Sequence, residues 1–481
     1  MAAGGKIAFA CGAAEKTITL TKVIGVEVNA DLDGGGRVVL SGGKTTRLFT
    51  VFGGKVLTLR NITIRDGYFN NATMKDPNLY WQGAAGVQTN FRGGIIAENV
   101  KFLDNVSVQG GVGSERNGGA VSTHESPVAV FYNCTFQGNK GHLGSAINNL
   151  LTNLTVVNSS VLGNQLFDEG FGGAIYSDGG ERTYENPNTP DRSPYTNNGT
   201  ISICGSLLSG NTGGYSGGAM YTCGHTNDQT IVDRSLIKDN YAGSNVRGVA
   251  TGGGIAAGCN GRILVKNSTI ANNKVKGYGG GIWQDSTVNP IPPLDRLVML
   301  NSTVTGNSTT MGAKTGVDAD GKDIYGFGNG GLAGGILISN DGSASVLNNV
   351  TVTNNTSGRG GGIHLSGSNN ATANNIIVAN NQSTNEWNQA KNCTATFRYA
   401  NALIEFPALV PYGGEPCATS PLNIDPKLDG VQLADNGGPT PTLMPPATSS
   451  ALGRGASCEA NDQRGISRGA RCDPGAVLIH Q

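Results

Sequence analysis

The sequence predicts an all-β chain wound as a parallel β-helix, and three observations carry that prediction. Two short phrases recur down most of the chain, one built on asparagine and one on glycine. The segments around them are short β-branched runs, such as TITL, VVL and LTLRNITI, with no helical period. The composition is unusual as well: 75 of 481 residues are glycine, 14% are charged and 37% are hydrophobic. That is too much glycine for an ordinary enzyme domain, without the triplet period of collagen, and too much apolar residue for disorder.

The asparagine phrase aligns on Asn105, Asn139, Asn164, Asn211, Asn240, Asn273, Asn307, Asn355 and Asn381. Three places earlier stands an apolar residue: Phe102, Phe136, Val161, Leu208, Ile237, Ile270, Val304, Val352 and Val378. Six places earlier another asparagine stands in most copies, with Gly205 and Arg234 as the exceptions. The glycine phrase reads GGAV at 118, GSAI at 144, GGAI at 172, GGAM at 217, GGGI at 252 and 279, AGGI at 333 and GGGI at 360. Its apolar column is Val121, Ile147, Ile175, Met220, Ile255, Ile282, Ile336 and Ile363. The closest copies recur at roughly 26 residues, a period that marks solenoids. In a β-helix each strand pairs with its copies one coil away, about 4.8 Å distant, so matching letters become ladders. Apolar ladders fill the interior, asparagines turn the chain and bond along their own row, and glycines supply positive φ. These Asn and Gly residues therefore read as scaffold, and the sequons Asn61-Ile-Thr, Asn267-Ser-Thr and Asn301-Ser-Thr as by-products of the repeat.

Residues 1–100 are strand-rich but irregular, as expected of an N-terminal cap and first coils. Residues 101–390 carry the regular coils, interrupted by inserts such as ERTYENPNTPDRSPYTNNG, and residues 391–481 read as the last coils and a C-terminal cap. Nine cysteines suggest disulfides plus at least one unpaired thiol. The short loops favour Cys393 with Cys417 and Cys458 with Cys472; Cys223 and Cys259 stand at near-equivalent positions one coil apart and form a third candidate pair.

The 34 basic residues balance 34 acidic ones, which gives no electrostatic reason to expect nucleic acid as a partner. No apolar run reaches the length of a membrane span. The start, MAAGGKIAF, lacks the pattern of a signal peptide, so a mature chain is expected, secreted or held at a bacterial cell surface.

The repeats GGAI at 172, FQGN at 136 and FLDN at 102 resemble the GGA[ILV] and FxxN repeats of chlamydial polymorphic outer-membrane proteins. The tail is similar to that of bacterial proteins with a choice-of-anchor Q domain. Its matching words are Asp435-Asn436-Gly437-Gly438-Pro439-Thr440, Asp462-Gln463-Arg464-Gly465 and Cys472-Asp473-Pro474-Gly475-Ala476. The resemblance implies a single-stranded, right-handed, pectin-lyase-like parallel β-helix, exported and displayed at a surface, with adhesion as the activity of the chlamydial group.

A β-helix also hosts polysaccharide lyases, hydrolases and epimerases, so fold alone leaves function open. Strand alternation turns the residue after each GGxI apolar position outward, giving Ser122, Asn148, Tyr176, Tyr221, Ala256, Trp283, Leu337 and His364. Two places on come Asp178, Asp285, Ser339 and Ser366, among others. Tyr176, Tyr221 and Trp283 offer flat faces to a sugar chain lying along the axis, with Asp178, Asp285 and His364 beside them as polar contacts. Asp178 and Asp285 lie roughly 14 Å apart on this alignment, wider than a glycosidase carboxylate pair. His364 with Arg359, and His124 and Glu125 with Arg116, are base and cation pairs without a catalytic motif. Asp318, Asp320 and Asp323 in VDADGKD suggest a calcium loop, although Lys322 stands where a ligand is wanted; no cofactor is otherwise required. The expected activity is binding of a polysaccharide or cell-surface glycan or protein. The alternative is a carbohydrate-active lyase, hydrolase or epimerase.

Overall fold

Each of the nine coils that carry the asparagine phrase turns at two residues with left-handed backbone. The residue six places before the phrase asparagine has φ between 43° and 59° in all nine copies, Gly205 and Arg234 included. The residue directly before that asparagine has φ between 53° and 67°, again in all nine. Asparagine, aspartate and glycine tolerate this region best, which is why they recur there. The first column was legible in the sequence; the second is hidden because Asp104, Gly138, Asp239 and Asn272 alternate in it.

The structure is a computed structural model. It describes residues 4–70, 83–108, 118–184, 195–225, 227–244, 248–285, 296–310, 314–317, 323–325, 331–384, 390–407, 415–469 and 472–479. Among them every regular element is a strand, and no helix is long and apolar enough to cross a membrane. The chain divides into two compact units: Met1–Gly214 with Ala219–Thr230, and Tyr215–Gly218 with Ile231–Gln481.

The first unit is a parallel β-helix whose coil is seen clearly between Ile147 and Phe171. A GGxI strand, Ile147–Leu150, is followed by a middle strand, Leu154–Val157, then by Ser160–Leu162 and Gln165–Phe171. Equivalent strands pair in parallel and in register, so the ladder runs Val87, Val121, Ile147, Ile175, Met220. A second ladder runs Ile64, Phe102, Phe136, Val161, Leu208. All these side chains are fully buried, each contributing roughly 1.5–3 kcal/mol of transfer free energy. Phe102 and Phe136 stack at 4.7 Å between centroids, and Phe131 meets both edge-on.

The second unit repeats the construction, with ladders Ile255, Ile282, Ile336, Ile363 and Ile237, Ile270, Val304, Val352, Val378. Inside each unit runs a row of buried amides. In the first, Asn105, Asn139 and Asn164 each donate Nδ2 to the Oδ1 of the next, ending on Asn211. In the second the row goes from Asn240 through Asn273, Asn307, Asn355 and Asn381 to Asn392. Asn139 shows how the burial is compensated. Its Nδ2 also donates to Phe102 O, and its Oδ1 accepts from the backbone and side chain of Asn105, so all four amide positions are satisfied.

The last paired strand is Ile404–Phe406, from which Ile404 bridges on to Leu422, and the tail does more than close the end. It runs back along the outer face of the second unit, over the column Thr269, Thr303, Thr351, Ile377. Gln463, 1% exposed, donates to Thr269 Oγ1 at 2.7 Å and Thr440 Oγ1 at 2.9 Å and accepts from Thr303 Oγ1 at 2.7 Å. Arg468 reaches Asn301 Oδ1 and the carbonyls of Asp473, Gly475 and Ala476. Asn349 donates to Asp473 O and Gly475 O. Asp462 and Arg464 form an ion pair at 2.7 Å with both side chains buried. Leu428, Leu443, Ala451 and Ile479 pack with Ile377 and Ile404 in a small apolar core.

Cys393–Cys417 and Cys458–Cys472 are disulfides as expected, and Cys223 and Cys259 are both disulfide-bonded. Cys11 and Cys134 are not. Disulfides of this kind fit an oxidising, extracellular compartment.

Candidate functional site

Three columns of the second unit build an open groove of about 650 Å³. The floor is the residue after the GGxI apolar position in three coils: Trp283, Leu337 and His364, which are direct neighbours on successive coils. One wall is the residue directly before the first position of each GGxI phrase. Thr251, Tyr278, Leu332 and Arg359 pair one above the next, and Ser216 extends this wall with a 2.6 Å hydroxyl contact to Thr251. The other wall follows the strands, with Asp285, Ser339 and Ser366; Ser366 Oγ lies 3.3 Å from Ser339 Oγ. The groove therefore runs along the coil stack, across the strands.

The floor column is less open than strand alternation alone suggests. Ser122, Asn148, Ala256, Leu337 and His364 are buried, and Tyr176, Tyr221 and Trp283 are half-buried. The column does point away from the apolar ladder. In the groove, the segments before and after each strand rise beside it and cover it.

His364 is 8% exposed and its Nδ1 is buried without a hydrogen-bond partner. Burial first, and the charge of Arg359 second, push its pKa down to about 4. The imidazole is neutral at physiological pH. Tyr278 is shifted upward, by burial and then by its neighbour Tyr215, so its hydroxyl stays protonated. Arg359 is exposed and forms no ion pair with any described residue.

The same three columns make a smaller aromatic shelf in the first unit. Tyr176 and Tyr221 pair in register and stack at 5.6 Å with 14° between the rings. Phe171, directly before Gly172, lies 5.3 Å from Tyr221. On the far side Asp178 Oδ1 stands 3.9 Å from His225 Nε2. Asp228 holds the His225 loop by accepting from the backbone N–H of Gly180, Gly199 and His225. Gly179 is required here, since a Cβ would come within 2.6 Å of the His225 ring and φ is 72°.

Thus Trp283, Asp285 and His364 share one groove, while Tyr176, Asp178 and Tyr221 share the shelf of the other unit. Tyr215, Tyr278 and the wall role of Arg359 were missed by sequence reasoning, as were His225 and Asp228. The wall column was findable as the position preceding each glycine phrase. His124 packs edge-on against Phe91 at 5.4 Å, while Arg116 lies outside the described residues. Asp318 and Asp320 also lie outside them. Asp323 begins the strand Asp323–Tyr325, antiparallel to Lys314–Val317. Among the described residues no cluster of three metal-ligating side chains forms.

No family model, curated protein or solved structure matches the chain.

Proposed function

We propose that the protein is an extracellular glycan-binding β-helix, displayed or secreted as a surface or adhesin-like protein, with the groove of the second unit as its binding site. One observation carries the reading: an open groove follows the coil stack, floored by the half-buried face of Trp283 and walled by hydroxyl, carboxylate and guanidinium groups. Coil spacing of about 4.8 Å lets a saccharide chain meet equivalent positions at successive units. Aromatic faces with a few placed polar groups are the usual make-up of such sites. The stacked tyrosines of the first unit offer a second platform built on the same columns.

The lyase alternative has a base and a cation in the same groove, and the acid strength of that base favours binding over cleavage. An imidazole held near 4 is a weak acceptor for a carbon-bound proton, since general bases work best when their pKa lies near the operating pH. The groove is better suited to holding a sugar than to breaking it.

Titration calorimetry against a glycan panel tests the proposal. Wild type should bind at least one member, and Trp283→Ala should weaken that binding about tenfold or more. Absence of binding across the panel, or binding indifferent to Trp283→Ala, contradicts it. An unsaturated product detected by ultraviolet absorbance would restore the lyase reading.

A further inference from the structure

We infer that the groove of the second unit selects an acidic saccharide, whose carboxylate pairs with Arg359 while a neighbouring ring rests on Trp283. The inference rests on the glycan-binding reading and names the class of ligand.

Among the described lining residues the ionisable groups of opposite charge are Arg359 and Asp285, with His364 between them on the floor. His364 carries no charge at neutral pH, so Arg359 is the positive group of the lining. Its side chain is exposed and forms no ion pair with a described residue. A guanidinium is weakly hydrated and presents a planar fork that matches a carboxylate bidentately. Its field already reaches the part of the groove floor on its own coil, because it is the second of the two causes that depress His364.

Asp285 stands on the opposite wall, beside Trp283 and two coils away from Arg359. A ligand with negative charge throughout is disfavoured near Asp285, where sugar hydroxyls can instead donate to the carboxylate. The groove is therefore polarised along its length. It fits a glycan with a hydroxyl-rich ring on Trp283 and a uronic acid roughly 10 Å further along, two coil spacings away. Ser339 supplies a hydroxyl on the coil between the two ends, and Ser366 and the protonated Tyr278 supply one at each end.

The test compares an oligomer of glucuronic acid, a mixed oligomer alternating glucuronic acid with neutral sugar, and the same oligomers with carboxyls reduced to alcohols. Affinities are measured by calorimetry on the full chain, wild type and Arg359→Gln. Wild type should prefer the mixed acidic oligomer over its reduced twin by about tenfold or more. That ratio should fall towards one in Arg359→Gln, survive in part in Arg359→Lys, and shrink at high salt. Equal affinity for acid and reduced forms, or a preference that persists in Arg359→Gln, overturns the inference and leaves glycan binding standing. Failure of every oligomer, acidic and reduced alike, overturns both.

Discussion

A single buried carboxyl shows how closely each residue of this chain is tied to its column. Glu405 follows Val378 in the apolar ladder of the asparagine phrase and is 1% exposed. It accepts from Cys417 N at 2.8 Å. Burial pushes its pKa up, only partly opposed by that bond and by Asn392. The folded state therefore binds its proton more tightly than the unfolded chain does. The resulting stabilisation is full below the ordinary value of 4.5 and is lost as pH rises through the folded pKa. Glu405→Gln, which keeps an acceptor for Cys417 N, should raise the melting temperature at neutral pH and lose that advantage below about pH 4. A variant that melts no higher than wild type at neutral pH would show that the carboxyl is not strained by its burial. Asn381, in the neighbouring amide row, escapes this cost because both its donors and its acceptor oxygen have partners.

At the scale of the element, the tail is what the sequence described least well. Its words Asp462-Gln463-Arg464-Gly465 and Cys472-Asp473-Pro474-Gly475-Ala476 stand out as motifs, but nothing in them says where they dock. The structure answers through Gln463, Arg468, Asp473 and Ala476, which bind the turn asparagines and outward threonines of three successive coils. Removing the Gln463 side chain leaves Thr303 Oγ1 without its acceptor, at a cost of about 1–3 kcal/mol. Gln463→Ala should lower the melting temperature and open the tail to limited proteolysis; unchanged protection would mean that the apolar contacts of Leu428, Leu443 and Ile479 hold it alone. The coil strands were far more legible, since their apolar positions repeat at a fixed distance from glycine and asparagine. The groove was legible in its floor, through Trp283 and His364, and in one wall through Asp285. The wall of Thr251, Tyr278, Leu332 and Arg359 escaped because its four side chains share no chemistry. Only the shared backbone position before each glycine phrase relates them.

For the whole molecule, each unit owes its architecture to one rule, that a coil is the template for the next. The rule turns letters dozens of residues apart into direct neighbours, and with them it turns Trp283, Leu337 and His364 into one floor and Tyr176 and Tyr221 into one shelf. Engineered cross-links test the rule most directly. Thr155 and Ser202 are register partners in the first unit, as are Ser339 and Ser366 in the second. Parallel neighbours at about 4.8 Å lie within the Cα separation a disulfide accepts. The account predicts that Thr155→Cys with Ser202→Cys, and Ser339→Cys with Ser366→Cys, each oxidise to the designed bond, mapped by mass spectrometry, in a chain that melts at or above wild type. Failure of both pairs to close in a folded chain, or closure onto positions slipped along the strands, would contradict the stacking and with it the groove.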